Sequence, residues 1–502
     1  MRIAVGARLA HVSILDAGLA LALAGGLALR YAFGLQPVWW LAWLAPLPLL
    51  VAALRSTRPV ALILTLLAAL IGASGSFHYL STVMSLPAAT WVTLLSALCW
   101  VLVIGRTRWL MTHFASPWAV LAYPLLWCAL DTLTAHLHPD ANWNSLAYSQ
   151  AGFAPAVQLM ALGGASALVF LVALVPAVLA LAVVRGWRAA RMPALCALVL
   201  VAASFAYGFW RIPAAAPAQG ALVGIAVIDD FIGPRLPAAL VERVWSQYER
   251  HVDTLAGQGA RLVVLPEKIA VMAPDDAARI EARLSALAAR QRVWLAAGVG
   301  IDDGAGRRNL AWLFAPDGRL DASYQKQRLA PPERAFVPGM GFDLRSIGGT
   351  RYGLAICKDM HFAATGRAYG ERGAQAMLVP SWDYGEDGEY AARLSALRGV
   401  ENGYAMVRAA REGLLTVSDA YGRVLAETPS AALPGAILLA RLPAQTPPPT
   451  LYRRIGDLFG WLCTGAAFLL MLLGWRRARQ TPPSPRTSRS TPLETRHTRP
   501  SA

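Results

Sequence analysis

Lysine is nearly missing from this chain of 502 residues, which carries three lysines against 43 arginines, and charged residues of all kinds make up only 15%. With 56% hydrophobic residues and a positive mean hydropathy, so little charge excludes an ordinary soluble protein and requires a large share of the surface to face lipid. Cysteine is also sparse. Four of the five, Cys99, Cys128, Cys196 and Cys463, fall in apolar segments, which leaves no disulfide framework for the polar part of the chain. Histidine and cysteine are too few and too scattered for the ligand spacing of a metal site. No glycine-rich loop between strand and helix points to a nucleotide. The net charge of +16 lies elsewhere than in the polar stretch, because residues 211–450 hold about 27 Lys and Arg against about 25 Asp and Glu. Nucleic-acid binding is therefore not expected.

Long apolar runs are what the chain has in abundance. A membrane-spanning helix needs about 20 mainly apolar residues, and eight segments qualify, centred on residues 10–30, 37–54, 59–80, 87–105, 117–136, 159–184, 193–210 and 456–474. Arginine clusters fall on every second connection: Arg2 and Arg8, Arg55 and Arg58, Arg106 and Arg108, Arg185, Arg188 and Arg191, and Arg476, Arg477 and Arg479. The intervening loops 81–86 and 137–158 carry no Lys or Arg. By the positive-inside rule both termini are expected in the cytoplasm. Arg30, Arg453 and Arg454 are mild exceptions. The expected organisation is a seven-helix bundle over 1–210, an extracytoplasmic domain over 211–455, an eighth helix over 456–475 and a disordered tail over 476–502, rich in Pro, Ser, Thr and Arg. The first segment lacks a small-residue cleavage site and reads as a retained helix.

Within 211–455 short β-branched runs alternate with helical periodicity. Strands are expected at Ala221–Ile228, Arg261–Leu265, Val293–Val299, Leu310–Phe314, Tyr352–Ile356, Ala376–Val379, Met406–Ala409 and Leu414–Val417, with helices over 237–257 and 275–290. Cys357, alone in this domain, directly follows a strand, where a side chain can be presented to a cleft. Where arginine is so strongly favoured, each surviving lysine is expected to do what arginine cannot: shift its pKa or offer a compact charge. Lys268 follows Glu267, Lys326 lies in Tyr324-Gln-Lys-Gln-Arg-Leu, and Lys358 follows Cys357. Glu267 ends the apolar run Leu262-Val-Val-Leu-Pro-Glu, where desolvation is expected to raise its pKa toward that of a general base.

Glu267 in LVVLPE, Lys326 in YQKQRL and Cys357 in YGLAICKD resemble the Glu-Lys-Cys triad of the nitrilase superfamily, in order and in placement after strands. Asn309–Gly318 (NLAWLFAPDG), Trp382-Asp-Tyr-Gly and Arg398–Arg423 add to the match. The resemblance implies an αββα sandwich. The membrane half is similar to the apolipoprotein N-acyltransferases, in Gln36-Pro-Val-Trp-Trp-Leu-Ala-Trp-Leu-Ala-Pro-Leu-Pro-Leu-Leu, in Asn142-Trp-Asn-Ser-Leu-Ala-Tyr-Ser-Gln and in the stretch from Gly163-Gly-Ala-Ser-Ala-Leu.

What this resemblance implies is acyl transfer from a phospholipid donor, through a thioester on Cys357, to the α-amine of a diacylated lipoprotein acceptor. Glu267 is then the base, Lys326 the oxyanion stabiliser and the Lys358 N–H a second donor, without cofactor or metal. The implied location is the bacterial inner membrane with a periplasmic catalytic domain. Trp143, Glu333, Lys358, Asp359 and Trp382 are candidate substrate contacts, Trp143 at the membrane interface. Lys358 is expected either to depress the Cys357 pKa or to meet a lipid phosphate. The chain departs from the family where Lys358 and Asp359 replace an aromatic residue and Glu, where Met360-His-Phe-Ala lacks the usual proline, and where Glu333 stands one residue out of register. His361 is expected to be structural. A membrane-tethered amidase or hydrolase is the alternative, and a noncatalytic relative of the fold is a third reading.

Overall fold

A computed structural model describes residues 2–214, 220–233, 236–443 and 449–480, with side chains from residue 16 onward. The tail expected to be disordered lies, from 481 on, outside the described residues. Among the described residues six helices are long and apolar enough to cross a membrane: Arg58–Val83, Leu86–His113, Pro117–Leu137, Met160–Arg185, Trp187–Arg211 and Leu458–Gln480. A 31-residue helix, Arg2–Ala32, precedes them. The expected span 37–54 differs. It is a 3-10 turn, Leu41–Trp43, followed by a ten-residue helix, Pro46–Arg55. Pro46 and Pro48 lack the N–H that a continuous helix through them would use, and a proline ring clashes with the carbonyl four residues back.

This broken segment nevertheless runs the length of the bundle. At one end Gln150 Nε2 donates to the Trp39 carbonyl and Trp43 Nε1 donates to Gln150 Oε1, both at 2.8 Å. At the other end Arg108 donates to the carbonyls of Ala53 and Ser56 at 2.9 and 2.7 Å, and Arg55 donates to that of Val183 at 3.0 Å. Arg185 caps the same end, donating to the Ala115 carbonyl at 3.2 Å. The arginine clusters therefore gather at one end of the bundle, and the soluble domain sits on the other. Helix Met160–Arg185 bends near that end at Gly164, whose φ of 67° is accessible to glycine at little cost. A Cβ there would lie 2.4 Å from the ring of the buried Tyr452.

The domain is built on two sheets, one of seven strands and one of six. The strands are β1 Leu222–Val227, β2 Leu262–Val264, β3 Val271–Met272, β4 Trp294–Asp302, β5 Arg307–Phe314, β6 Leu320–Gln325, β7 Asp343–Ile347, β8 Thr350–Leu354, β9 Ala376–Trp382, β10 Ala405–Arg411, β11 Leu414–Ser418, β12 Val424–Pro429 and β13 Ala436–Arg441. One sheet runs β13-β1-β2-β4-β5-β6, with the short β3 beside β4, and the other runs β12-β11-β10-β9-β8-β7. All eight expected strands are present. Their central members are parallel and buried on both faces, so they read as continuous apolar runs.

The sheets face each other through Ile225, Val264, Leu313, Leu354, Leu378 and Val407, all fully buried. Amphipathic helices Ala238–Gly257 and Pro274–Gln291 cover the first sheet. Helices Ala363–Glu371 and Gly388–Asn402 cover the second. In the last of these only Glu389 is exposed. Tyr390, Leu394, Leu397 and Val400 share one apolar cluster with Leu168, Val172 and other membrane-helix residues. An αββα sandwich is thereby seated directly on the bundle.

Candidate active site

Three strand exits converge beneath this seam. Cys357 leaves β8 on a 3-10 turn, Cys357–His361, with φ of 42°, a left-handed conformation that costs a residue with a side chain on the order of 1 kcal/mol or more. The strain aims Sγ sideways, where the Trp382 carbonyl at the end of β9 accepts its proton at 3.5 Å. Glu267 follows β2, its N–H donating to the Ser381 carbonyl at 3.3 Å. Arg411, at the end of β10, donates to the carbonyls of Glu267 and Lys268 at 3.1 and 2.8 Å and so ties the two sheets together. Lys326 follows β6, its N–H donating to the Asn309 carbonyl at 2.9 Å.

Glu267 and Lys326 are each 1% exposed, and charges this deeply buried persist only when paired. Lys326 Nζ donates to Glu267 Oε1 at 2.8 Å and to Glu333 Oε2 at 2.7 Å. Asn309 Nδ2 donates to the same two carboxylates at 2.6 and 2.9 Å. Lys268 Nζ bonds Glu333 Oε1 and lies 3.7 Å from Glu267. Burial disfavours the Lys326 ammonium, but Glu267, Glu333 and Cys357 outweigh it and hold its pKa well above the ordinary lysine value. Burial likewise disfavours the Glu333 carboxylate, yet Lys326 and Lys268 hold its pKa far below the usual range. Both oxygens of Glu333 are committed, since Oε2 also accepts from the Ala330 N–H. Glu267 keeps one free: its Oε2 is buried with no hydrogen-bond partner.

The thiol is 8% exposed. Burial first, then the charge of Glu267, pushes its pKa up to about 12, with Lys326 acting the other way. Lys358 does not depress it. Its ammonium is turned away from the thiol to Asp140, on the loop after the membrane helix ending at Leu137, and to the Leu329 carbonyl at 2.9 Å. Neither expectation for Lys358 describes this arrangement, because its charge is matched by a protein carboxylate.

Asp359 is equally occupied. Fully buried, it accepts from the N–H groups of Ile356, Gln327 and Arg328 and from the Tyr324 hydroxyl, at 3.0, 3.1, 2.8 and 2.8 Å. It ties the cysteine turn to the end of β6 and has no oxygen left for a ligand. Trp143 packs against the domain, with its ring centroid 4.8 Å from His361 and 4.9 Å from Tyr390. Trp382 offers its carbonyl to the thiol and its ring face to Arg411 at 3.9 Å. His361 is partly buried, and desolvation first, then Arg408, Lys358 and Lys326, hold its pKa well below the ordinary histidine value.

Asn309, Lys268, Asp140 and Tyr384 complete the site without having been assigned a place in it from sequence. For Asn309 the signal was an amide at the start of the apolar run that completes β5. For Lys268 it was the scarcity of lysine itself, since all three lysines line a single cavity of about 920 Å3. That cavity is the opening of the site. It contains Glu267, Lys326 and Cys357, passes Trp143 and Asp140, and continues between membrane helices as far as Trp100 and Trp127. Leu95, Leu133 and Leu137 line its apolar wall between the helices and are themselves exposed. Among the described residues no group of three or more His, Cys, Asp and Glu side chains is arranged to hold a metal ion.

Comparison with known proteins divides the chain in the same way. The carbon-nitrogen hydrolase family model matches residues 221–440, and the apolipoprotein N-acyltransferase N-terminal domain model matches residues 25–178. The apolipoprotein N-acyltransferase of Geobacter metallireducens is 28% identical over 91% of this chain and 95% of its own length, and that of Gloeobacter violaceus is 28% identical over 91% and 94%. Human omega-amidase NIT2 is 33% identical over 25% of this chain and 52% of its own length. Among solved structures, an amidase from Nesterenkonia sp. is 26% identical, with a TM-score of 0.40, over 46% of this chain and 94% of its own.

Proposed function

Because the chain belongs to the apolipoprotein N-acyltransferase family, we propose that it moves an acyl chain from a membrane phospholipid to the α-amine of a diacylglyceryl cysteine on a lipoprotein, with Glu267, Lys326 and Cys357 as its catalytic residues. The observation that carries the assignment of roles is the continuous cavity joining the thiol, the free Glu267 oxygen and the lipid-facing helices. Both substrates carry acyl chains that cost about 0.8 kcal/mol per CH2 to expose to water. A nucleophile serving them therefore needs an apolar path out of the bilayer.

With its pKa near 12 the thiol is protonated at neutral pH, and only about one molecule in 10^5 carries a thiolate unaided. Glu267 Oε2 takes the thiol proton as sulfur attacks the donor ester carbonyl. Lys326, locked in its ammonium form, stabilises the tetrahedral oxyanion, and the Lys358 N–H in the first turn after Cys357 supplies a second donor. The ester C–O bond breaks, the departing lysophospholipid oxygen takes the proton back from Glu267, and the acyl group remains on sulfur as a thioester. In the second half the acceptor amine attacks, Glu267 accepts its proton, the C–S bond breaks, and the proton returns to Cys357. Glu333 and Asn309 hold Glu267 and Lys326 in register and touch neither substrate.

Membrane-tethered amide hydrolysis uses the same triad with water in place of the amine. The apolar reach of the cavity between the membrane helices favours transfer. We place the domain on the periplasmic side of a bacterial inner membrane, with the arginine-capped end of the bundle in the cytoplasm. The test is mass spectrometry of the purified protein after incubation with phospholipid alone. An acyl mass on the Cys357 peptide, discharged by a diacylated lipopeptide and stable to water, is expected. Discharge by water at the same rate would make the protein a hydrolase, and absence of the adduct would remove the thioester.

A further inference from the structure

The cavity has a floor. On helix Leu86–His113 the residues that line it end at Trp100, and the next turn, Val103 and Ile104, is 2% and 1% exposed and does not reach the cavity. On helix Pro117–Leu137 the lining runs from Leu137 up the chain to Trp127. The two indoles close over each other with ring centroids 4.5 Å apart at 66°, and Phe33 packs on Trp100 at 5.8 Å. Three interlocked rings, two from helices and one from the residue that follows helix Arg2–Ala32, form the base.

The depth of that floor has a scale. From Leu137 to Trp127 is ten residues of helix, about 15 Å at the rise of an α-helix. The hydrocarbon of one bilayer leaflet is also about 15 Å, half of the whole core. The wall above the floor is mainly apolar, with Leu95, Cys99, Leu130 and Leu133 prominent, and the carboxylate of Asp131 is taken by Asn142 Nδ2 at 2.6 Å.

We infer that Trp100 and Trp127 are the stop against which the transferred acyl chain of the donor phospholipid is measured, so that this aromatic floor sets the chain length passed to Cys357. The inference rests on the acyl-transfer reading above. A chain with its carbonyl at the thiol runs down the cavity and ends on the rings. A chain two methylenes too long must displace them or buckle.

The experiment reads the donor step alone. Full-length protein is incubated with an equimolar mixture of phospholipids bearing saturated chains of different lengths, without acceptor, and the acyl masses on the Cys357 peptide are quantified. Trp100→Ala deepens the cavity and is expected to raise the ratio of longer to shorter thioesters about tenfold, the discrimination that a few methylenes provide in an apolar pocket. Ser96→Phe, one turn nearer the thiol on the same wall, is expected to shift the distribution the other way. Should Trp100→Ala not fold, Trp127→Leu and Ser96→Phe decide the matter. Unchanged distributions in the folded variants would overturn the floor while leaving acyl transfer standing. If the parent protein forms no thioester with any donor, the acyl-transfer reading itself fails, and the inference falls with it.

Discussion

The ammonium of Lys358 is bonded to the carboxylate of Asp140, 218 residues earlier in the chain. The side chain of Lys358 is 8% exposed and that of Asp140 45%. The pair joins the turn that carries the nucleophile to the loop that carries Trp143, and so adds a direct link between the chemistry of the domain and the bundle. Removing either partner is expected to reduce acyl transfer several-fold while leaving Cys357 in place. A double-mutant cycle with Asp140→Asn and Lys358→Met, read as thermal stability, should return a coupling of about 1 kcal/mol. Strict additivity of the two changes would mean that the pair does not couple the two halves.

Glu267→Gln separates two properties of the thiol that usually move together. The charge of Glu267 helps push the Cys357 pKa up to about 12, so removing it favours the thiolate and lowers the pH at which a small neutral maleimide alkylates the cysteine. Acyl transfer, which needs the carboxylate as proton acceptor, is expected to fall by about 10^2 to 10^4. If alkylation moved to higher pH, or transfer survived, Glu267 would not be the base.

His361→Phe tests the remaining candidate base. His361 is partly buried and held neutral, and its buried Nε2 has no hydrogen-bond partner, so an apolar ring of similar shape removes an unsatisfied group at little cost. Activity within about threefold of the parent and an unchanged or higher melting temperature are expected. Loss of transfer by a well-folded His361→Phe protein would return the histidine to the mechanism.

Asp359 makes stability depend on pH. Burial raises its pKa to about 6, with its four donors and Lys326 opposing, against about 3.9 for an unfolded aspartate. Between these values the native state holds a proton that the unfolded state does not, so this group's contribution to stability falls as pH rises from about 4 to 6. Asp383, also raised to about 6 beside Arg408, adds the same sign. Asp359→Asn should flatten part of that slope in melting temperature against pH. It should also cost about 1–3 kcal/mol, because an amide N–H2 must face groups that themselves donate.

The two ends of the bundle should be distinguishable from outside the cell. Met340, 95% exposed on the domain, replaced by cysteine, is expected to react with a membrane-impermeant maleimide in intact spheroplasts. A cysteine at the exposed Arg106 should react only after permeabilisation. The reverse pattern would invert the proposed orientation.

Much of the site was legible because each strand ends in a short run that a reader can align: Glu267 after an apolar β2, Cys357 after β8, Lys326 after β6. Glu333 was obscured by counting. Its register along the chain is immaterial, because the prolines of the 3-10 turn Pro331–Glu333 fold its carboxylate back onto Lys326 and the Ala330 N–H. The broken second segment was misread for a related reason, since hydropathy records apolar content and not whether Pro46 and Pro48 let a helix run through it.

By itself the sequence indicated which runs are long and apolar enough to cross a membrane, which runs form strands, and which three side chains of acyl-transfer type follow their strands in order. These are local properties, written in composition, period and neighbouring residues. Only the tertiary structure decided that Lys358 answers to Asp140, that Asp359 is a tie instead of a contact, that Glu267 has one free oxygen and Glu333 none, and that the cavity stops on Trp100 and Trp127. Each of these depends on a partner brought close by packing, and the distance across a fold cannot be read from the distance along its chain.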